Sequence, residues 1–154
     1  MITVPRRLFT LTMSGLRSRS NGWRESGAIW AGYVTDENIW VAEEVYFHHE
    51  LCDDSGRPFY MELTADAKFR LYEELRRRSR RLVGVVHTHP ERWVGLSPAD
   101  ESNQICSRVG FWSIVVPYYG QHPWNPTTMG VHIRTDSGWA LVPRSQIRKR
   151  LAIT

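Results

Sequence analysis

Two histidines one residue apart, His87 and His89, are followed by Ser97 and Asp100. Side chains on a strand alternate with a period of two, so a strand ending in His-x-His presents both imidazoles on one face. Two imidazoles so placed are half of a tetrahedral zinc site. Asp100 can supply a third ligand. Ser97-Pro98-Ala99-Asp100 reads as a helix start, with Ser at the N-cap, Pro at the first position and an acid at the third. Residues 90–96 form a short loop that can return this start past the strand end. Two nitrogens and one oxygen leave a fourth position open, the pattern of a catalytic zinc rather than a structural one. Zinc there would bring the pKa of water down towards about 7. Each pair alone has a plainer reading, as a capping pair or as polar residues at a strand end. Four specified residue types at fixed spacing favour the metal. A carboxylate has two oxygens, so Asp100 can cap and ligate together.

The elements that must position these residues follow from pattern. Residues 82–86 are an apolar run of strand length leading into His87. Residues 25–34 and 39–47 read as strands joined by a hairpin across the polar turn 35–38. Upstream, Pro5 with Phe9, Met13 and Leu16 indicates a helix over 5–18, although Phe9, Leu11 and Met13 also alternate as in a strand. Asn21-Gly22 ends the segment either way. Thr64 is an N-cap for a helix to about Ser79, and residues 48–63 before it read as a polar loop containing Phe59-Tyr60-Met61. Cys106 falls in an expected helix, as a packing residue. Strands over 111–117, 128–135 and 139–142, a turn at 136–138 and a helix over 143–151 complete the chain. The fold class is α+β, one domain over 1–154, a mostly antiparallel mixed sheet flanked by helices.

At these residues the sequence resembles the JAMM (MPN+) metalloproteases, the family of zinc-dependent deubiquitinases and their prokaryotic relatives. His87-x-His89-x7-Ser97-x2-Asp100 matches the whole of that family's signature. Glu25, followed by Gly27 and Gly32, resembles the family's upstream glutamate segment. The resemblance implies a JAB/MPN-like domain and a role for each residue. His87, His89 and Asp100 would hold Zn2+. Glu25 would take a proton from the attacking water and pass it to the leaving amine. Ser97 would donate a hydrogen bond to the oxyanion. Glu43 and Glu44 are rival glutamates, without the glycines. The family's two substrate-holding loops correspond to 48–63 and 118–127, where Phe59, Tyr60 and Met61 could add an edge strand for a substrate tail. His48, His49 and Cys52 have no standard zinc spacing, and a second metal there is disfavoured.

Composition sets the setting. The chain has 154 residues and a net charge of +4, with only Lys68 and Lys149 as lysines. Two cysteines exclude a disulfide scaffold and fit a reducing cytoplasm. No apolar run approaches the roughly 20 residues that span a bilayer, and residues 1–16 do not read as a signal peptide. Acids crowd residues 25–67, whereas Arg76, Arg77, Arg78, Arg80 and Arg81 form a basic run. That run fits an acidic protein partner better than nucleic acid. By resemblance, the expected substrate is a ubiquitin-like protein cut after its C-terminal glycine. The setting is a bacterial pathway with conjugation enzymes as further partners, antiphage defence among the possibilities. Processing of a sulfur-carrier protein, an inactive MPN scaffold and a nucleic-acid-binding JAB relative are the alternatives.

Overall fold

The computed structural model describes residues 1–52 and 63–154. In chain order it contains β1 (Ile2–Val4), α1 (Arg6–Ser20), β2 (Gly27–Val34), β3 (Trp40–Phe47) and α2 (His48–Leu51). Then come α3 (Ala65–Arg77), β4 (Arg81–Thr88), α4 (Pro98–Ser102) and β5 (Trp112–Val116). β6 (Gly130–Thr135), β7 (Gly138–Leu141), α5 (Arg144–Arg150) and β8 (Leu151–Ile153) follow. The strands form one sheet in the order β7-β6-β5-β4-β2-β3-β1-β8. The ladders β2–β3, β2–β4, β5–β6 and β6–β7 are antiparallel. Those of β4–β5, β1–β3 and β1–β8 are parallel. The expected α+β class holds, with a mixed, mostly antiparallel sheet.

The helix wins over the strand at residues 6–20 because Leu8, Phe9, Thr12, Met13 and Leu16 make one buried stripe. It stops at Asn21, whose left-handed backbone (φ 48°) directs its N–H to the Arg17 carbonyl. This stripe packs on the sheet face that carries Trp30, whose indole N–H donates to Thr12 Oγ1 at 2.9 Å. Behind the end of β4, three buried hydroxyls join α1 to both strands. Thr88 Oγ1 accepts from the Ser26 N–H (2.9 Å) and lies 3.1 Å from Ser20 Oγ. Ser20 Oγ is in turn 2.8 Å from Ser26 Oγ, which donates to the Leu16 carbonyl. α3 is capped as expected, Thr64 Oγ1 accepting from Ala67 N–H, and buries Ala67, Leu71 and Leu75.

Several expectations are corrected. The strand placed at 25–34 begins at Gly27, leaving Glu25 just before it. Residues 48–51 are a short helix rather than loop, and Phe59, Tyr60 and Met61 lie outside the described residues. Cys106 follows α4 in an irregular segment, not in a helix. The parallel additions β1 and β8 were not expected. The basic run is largely neutralised within the molecule. Arg76 pairs with Glu73 (3.2 Å), Arg77 with Glu74, Arg78 with Glu44 (2.5 Å) and Arg80 with Glu43 (2.6 Å). No helix among the described residues is long and apolar enough to cross a membrane.

Candidate metal centre

β4 delivers the histidine pair. Its central position in the sheet buries both rings, and His-x-His geometry sends Thr88 to the opposite face, into the hydroxyl cluster. The polypeptide then turns at Pro90 and re-enters as α4. Ser97 is the N-cap, accepting from Asp100 N–H at 3.1 Å, while Asp100 Oδ2 accepts the Ser97 N–H at 2.7 Å. This reciprocal box holds the carboxylate against the strand end, where only 5% of it is exposed.

The three side chains converge. His87 Nε2 and His89 Nε2 are 3.2 Å apart. His87 Nε2 is 3.3 Å from Asp100 Oδ1, and His89 Nε2 is 3.4 Å from Asp100 Oδ2. A tetrahedron with metal–ligand bonds of about 2.0–2.1 Å has edges of roughly 3.3–3.4 Å. Two separations match edges of such a face, His87 Nε2 to His89 Nε2 and His87 Nε2 to Asp100 Oδ1, and the ligand atoms of the three residues all lie within 4.8 Å of one another. Two ring nitrogens this close to one carboxylate suit a shared cation. Among the described residues this is the group of His, Cys, Asp and Glu that can hold a metal ion. His48, His49 and Cys52 form no such group. The His48 ring is buried against β2, so close that a Cβ on Gly27 would lie 2.5 Å from its Nδ1.

The electrostatics agree with the geometry. Burial would raise the Asp100 carboxyl, but the bonds from His87 and His89 and the Ser97 N–H hold it well below the usual carboxylate range. Burial pulls His89 down, yet Asp100, the Trp93 carbonyl and the charge of Glu25 outweigh it and raise His89. His89 Nδ1 lies 3.1 Å from the Trp93 carbonyl, which selects the tautomer with Nε2 free to ligate. The Trp93 indole stacks on the His89 ring at 5.2 Å and 18°. Gly95 permits this, since a Cβ there would lie 2.6 Å from the indole.

Glu25 meets the site through strand register. Gly27 pairs with His87, and the Thr88 N–H donates to the Ser26 carbonyl at 2.9 Å. Continuing that ladder one step sets Glu25 across from His89, on the histidines' face. Its charge is one of those that raise His89. The rivals are elsewhere. Glu43 and Glu44 sit on β3, paired with Arg80 and Arg78. Burial raises the Cys106 thiol, which leaves it a poor nucleophile.

Comparison with known proteins extends the picture. No family model matches the chain. It is 25% identical to a "Probable metalloprotease y4jG" of Sinorhizobium fredii, over 99% of this chain and 94% of that protein. Among solved structures, it superposes on a JAB1/MPN domain protein of Archaeoglobus fulgidus with a TM-score of 0.50. That match has 20% identity and covers 92% of this chain and 94% of the other. The chain shares the fold of that JAB1/MPN domain protein. A protein of Desulfitobacterium hafniense shares the fold of this chain with a TM-score of 0.69 at 14% identity, covering 100% and 93% of the two chains. A Salinibacter ruber protein does so at 0.60 and 20%, covering 93% and 89%.

Beyond the His87, His89, Ser97 and Asp100 pattern, the candidate site has polar neighbours that the sequence reading missed. Ser113 and His132 are buried partners across β5 and β6. Burial pushes His132 down to about 4, so its imidazole is neutral near pH 7. Neither residue belongs to a short motif, and only the strand order of the sheet brings them to the face of His87.

Proposed function

We propose that the chain is a zinc-dependent metallopeptidase that cuts the bond after the C-terminal glycine of a ubiquitin-like protein. The observation that carries the reading is the convergence of His87, His89 and Asp100; Glu25 lies two residues before Gly27, the partner of His87 in the β2–β4 ladder. His87 and His89 would hold the metal through Nε2, and Asp100 through the oxygen not engaged with Ser97 N–H. Zinc, when bound, supplies a Lewis acid that polarises a carbonyl and lowers the pKa of water.

The remaining chemistry belongs to side chains. The Glu25 carboxylate takes a proton from the attacking water and returns it to the leaving nitrogen. The Ser97 hydroxyl spends its acceptor on the Asp100 N–H, so its own proton is available for the developing oxyanion. Trp93 and Asp100 fix the two sides of His89, which keeps the ligating nitrogen in place before substrate arrives. The ubiquitin-like substrate, and a bacterial conjugation pathway as its setting, rest on the resemblance of the motif. The intact ligand set counts against an inactive scaffold. The pairing of Arg76, Arg77, Arg78 and Arg80 with carboxylates counts against nucleic acid.

The test is incubation of the zinc-loaded chain with a panel of ubiquitin-like proteins carrying a C-terminal extension. Mass spectrometry should find a cut after the terminal glycine that a chelator abolishes. Cleavage that survives the chelator, or that falls at other bonds, refutes the proposal.

A further inference from the structure

A cleft of about 430 Å³ adjoins the strand end that carries His89. Its buried apolar lining is Val116 and Met129, and Tyr118, His122 and Trp124 give it aromatic sides. The backbone ties it to the site. The Val116 carbonyl accepts the His89 N–H at 2.9 Å, and the His89 carbonyl accepts the Tyr119 N–H at 2.8 Å. Two arginines complete the walls. Arg92 lies in the loop between His89 and Ser97, and Arg144 opens α5. Neither pairs with a carboxylate among the described residues, unlike Arg76, Arg77, Arg78 and Arg80. No acid stands among the wall residues.

The wall is held before any ligand arrives. Arg17 on α1 donates to the carbonyls of Gly120 (2.8 Å), Gln121 (2.9 Å) and His122 (3.0 Å). The same guanidinium lies 4.7 Å from the centre of the Trp124 ring. Trp124 Nε1–H donates to the Gly120 carbonyl at 3.0 Å, and the Tyr118 and His122 rings stack at 4.1 Å and 16°. Tyr118 and Tyr119 have φ of 55° and 54°, a left-handed backbone that bulky residues keep only where their surroundings impose it. A wall so fixed gives up little freedom when it binds. Two guanidinium groups lining one cleft repel each other, and an anion between them reverses that term. Their planar forks match the two oxygens of a carboxylate. The apolar lining suits the methylenes that carry such a carboxylate on a side chain.

We propose that this cleft binds an acidic residue of the polypeptide substrate, with Arg92 and Arg144 as the specificity-determining residues. The proposal rests on the reading of His87, His89 and Asp100 as a peptidase centre, because the cleft shares its backbone with His89 and a polypeptide bound there reaches it.

The experiment measures binding of two fluorescent decapeptides to the full chain by anisotropy. The peptides alternate Gly and Leu and differ only at their centre, Glu-Glu in one and Gln-Gln in the other. The Glu peptide should bind roughly 5–10-fold more tightly. Raising salt from about 0.05 M to about 0.5 M should remove most of the difference. Arg92→Gln and Arg144→Gln should each reduce the preference, and the double variant should bind both peptides alike. Arg148→Gln is the control, since Arg148 lines a different cleft, and it should keep the parent's preference. Unfolding temperatures of all variants should match the parent, as the three arginines are exposed. Equal binding of the two peptides by the parent, no binding of either, or a preference that survives the double substitution overturns the inference. So does an equal loss in Arg148→Gln. Cleavage of the ubiquitin-like fusions is scored separately. Fusions cut by a parent chain that binds both peptides alike overturn the cleft and leave the peptidase reading standing. A Glu preference lost in the double variant, with no fusion cut, upholds the cleft and refutes the peptidase reading.

Discussion

Thr88→Val tests whether the hydroxyl cluster behind the histidines positions the catalytic groups. The change is nearly isosteric and points away from His87 and His89, into the side of the sheet covered by α1. It removes the hydroxyl that accepts the Ser26 N–H, at 2.9 Å, and a 3.1 Å partner of Ser20. Ser20 keeps Ser26 Oγ at 2.8 Å, so the cost is concentrated on the backbone donor. A buried donor left without an acceptor costs about 1–3 kcal/mol. The added methyl returns about 0.8 kcal/mol of apolar burial. The net is a loss of about 0.2–2.2 kcal/mol. At about 2–4 °C per kcal/mol for a domain of this size, Tm should fall by up to roughly 9 °C. Ser26 is the residue next to Glu25, and a shift of about 1 Å in a catalytic group can cost roughly 100-fold in rate. Turnover should therefore drop more steeply than stability, while zinc affinity stays at the parent value. Thr88→Ser should recover most of both. The assay is a melt of the metal-free and zinc-loaded proteins with turnover measured on one fusion substrate. Parent-like Tm and turnover in Thr88→Val would show that the cluster positions nothing.

Glu25→Gln should bind zinc as tightly as the parent and unfold at the same temperature, yet lose roughly 10²–10⁴-fold in turnover. If Glu43→Gln or Glu44→Gln had that effect instead, the ladder that brings Glu25 to His89 would be misassigned. Zinc at 100 times its dissociation constant should stabilise the chain by about 2.7 kcal/mol, raising Tm by roughly 5–11 °C. His89→Ala should erase that shift, and an undiminished shift would remove His89 from the ligand set.

The convergence of His87, His89 and Asp100 was legible because each of its parts obeys a local rule. Period two puts His87 and His89 on one face, and the capping box needs only the four residues from Ser97 to Asp100. The hairpin that carries Glu25 was readable for the same reason, with an error of two residues at its start. Glu25 itself was singled out by family likeness, since an isolated carboxylate before a strand has no pattern of its own. What stayed hidden depends on which strands are neighbours. Ser113 and His132 acquire meaning only when β5 and β6 are placed beside β4. The basic run looked like a free charge until β3 set Glu43 and Glu44 against Arg80 and Arg78. β1 and β8, at three residues each, are too short to show a period, and their ladder is parallel and distant in sequence.

That last ladder has a consequence for synthesis of the chain. β1 precedes β3 and can pair with it once Trp40 and Val41 follow. Its other edge is completed by Leu151–Ile153, with Thr154 N–H closing on the Val4 carbonyl at 3.1 Å. At roughly 5–20 residues per second, those partners arrive about 7–30 s after Ile2. An unpaired strand edge is a template for another chain. During that interval neighbouring nascent chains on one message can join through β1. Yield in overproduction should thus follow translation rate and ribosome spacing, whatever the stability of the finished protein.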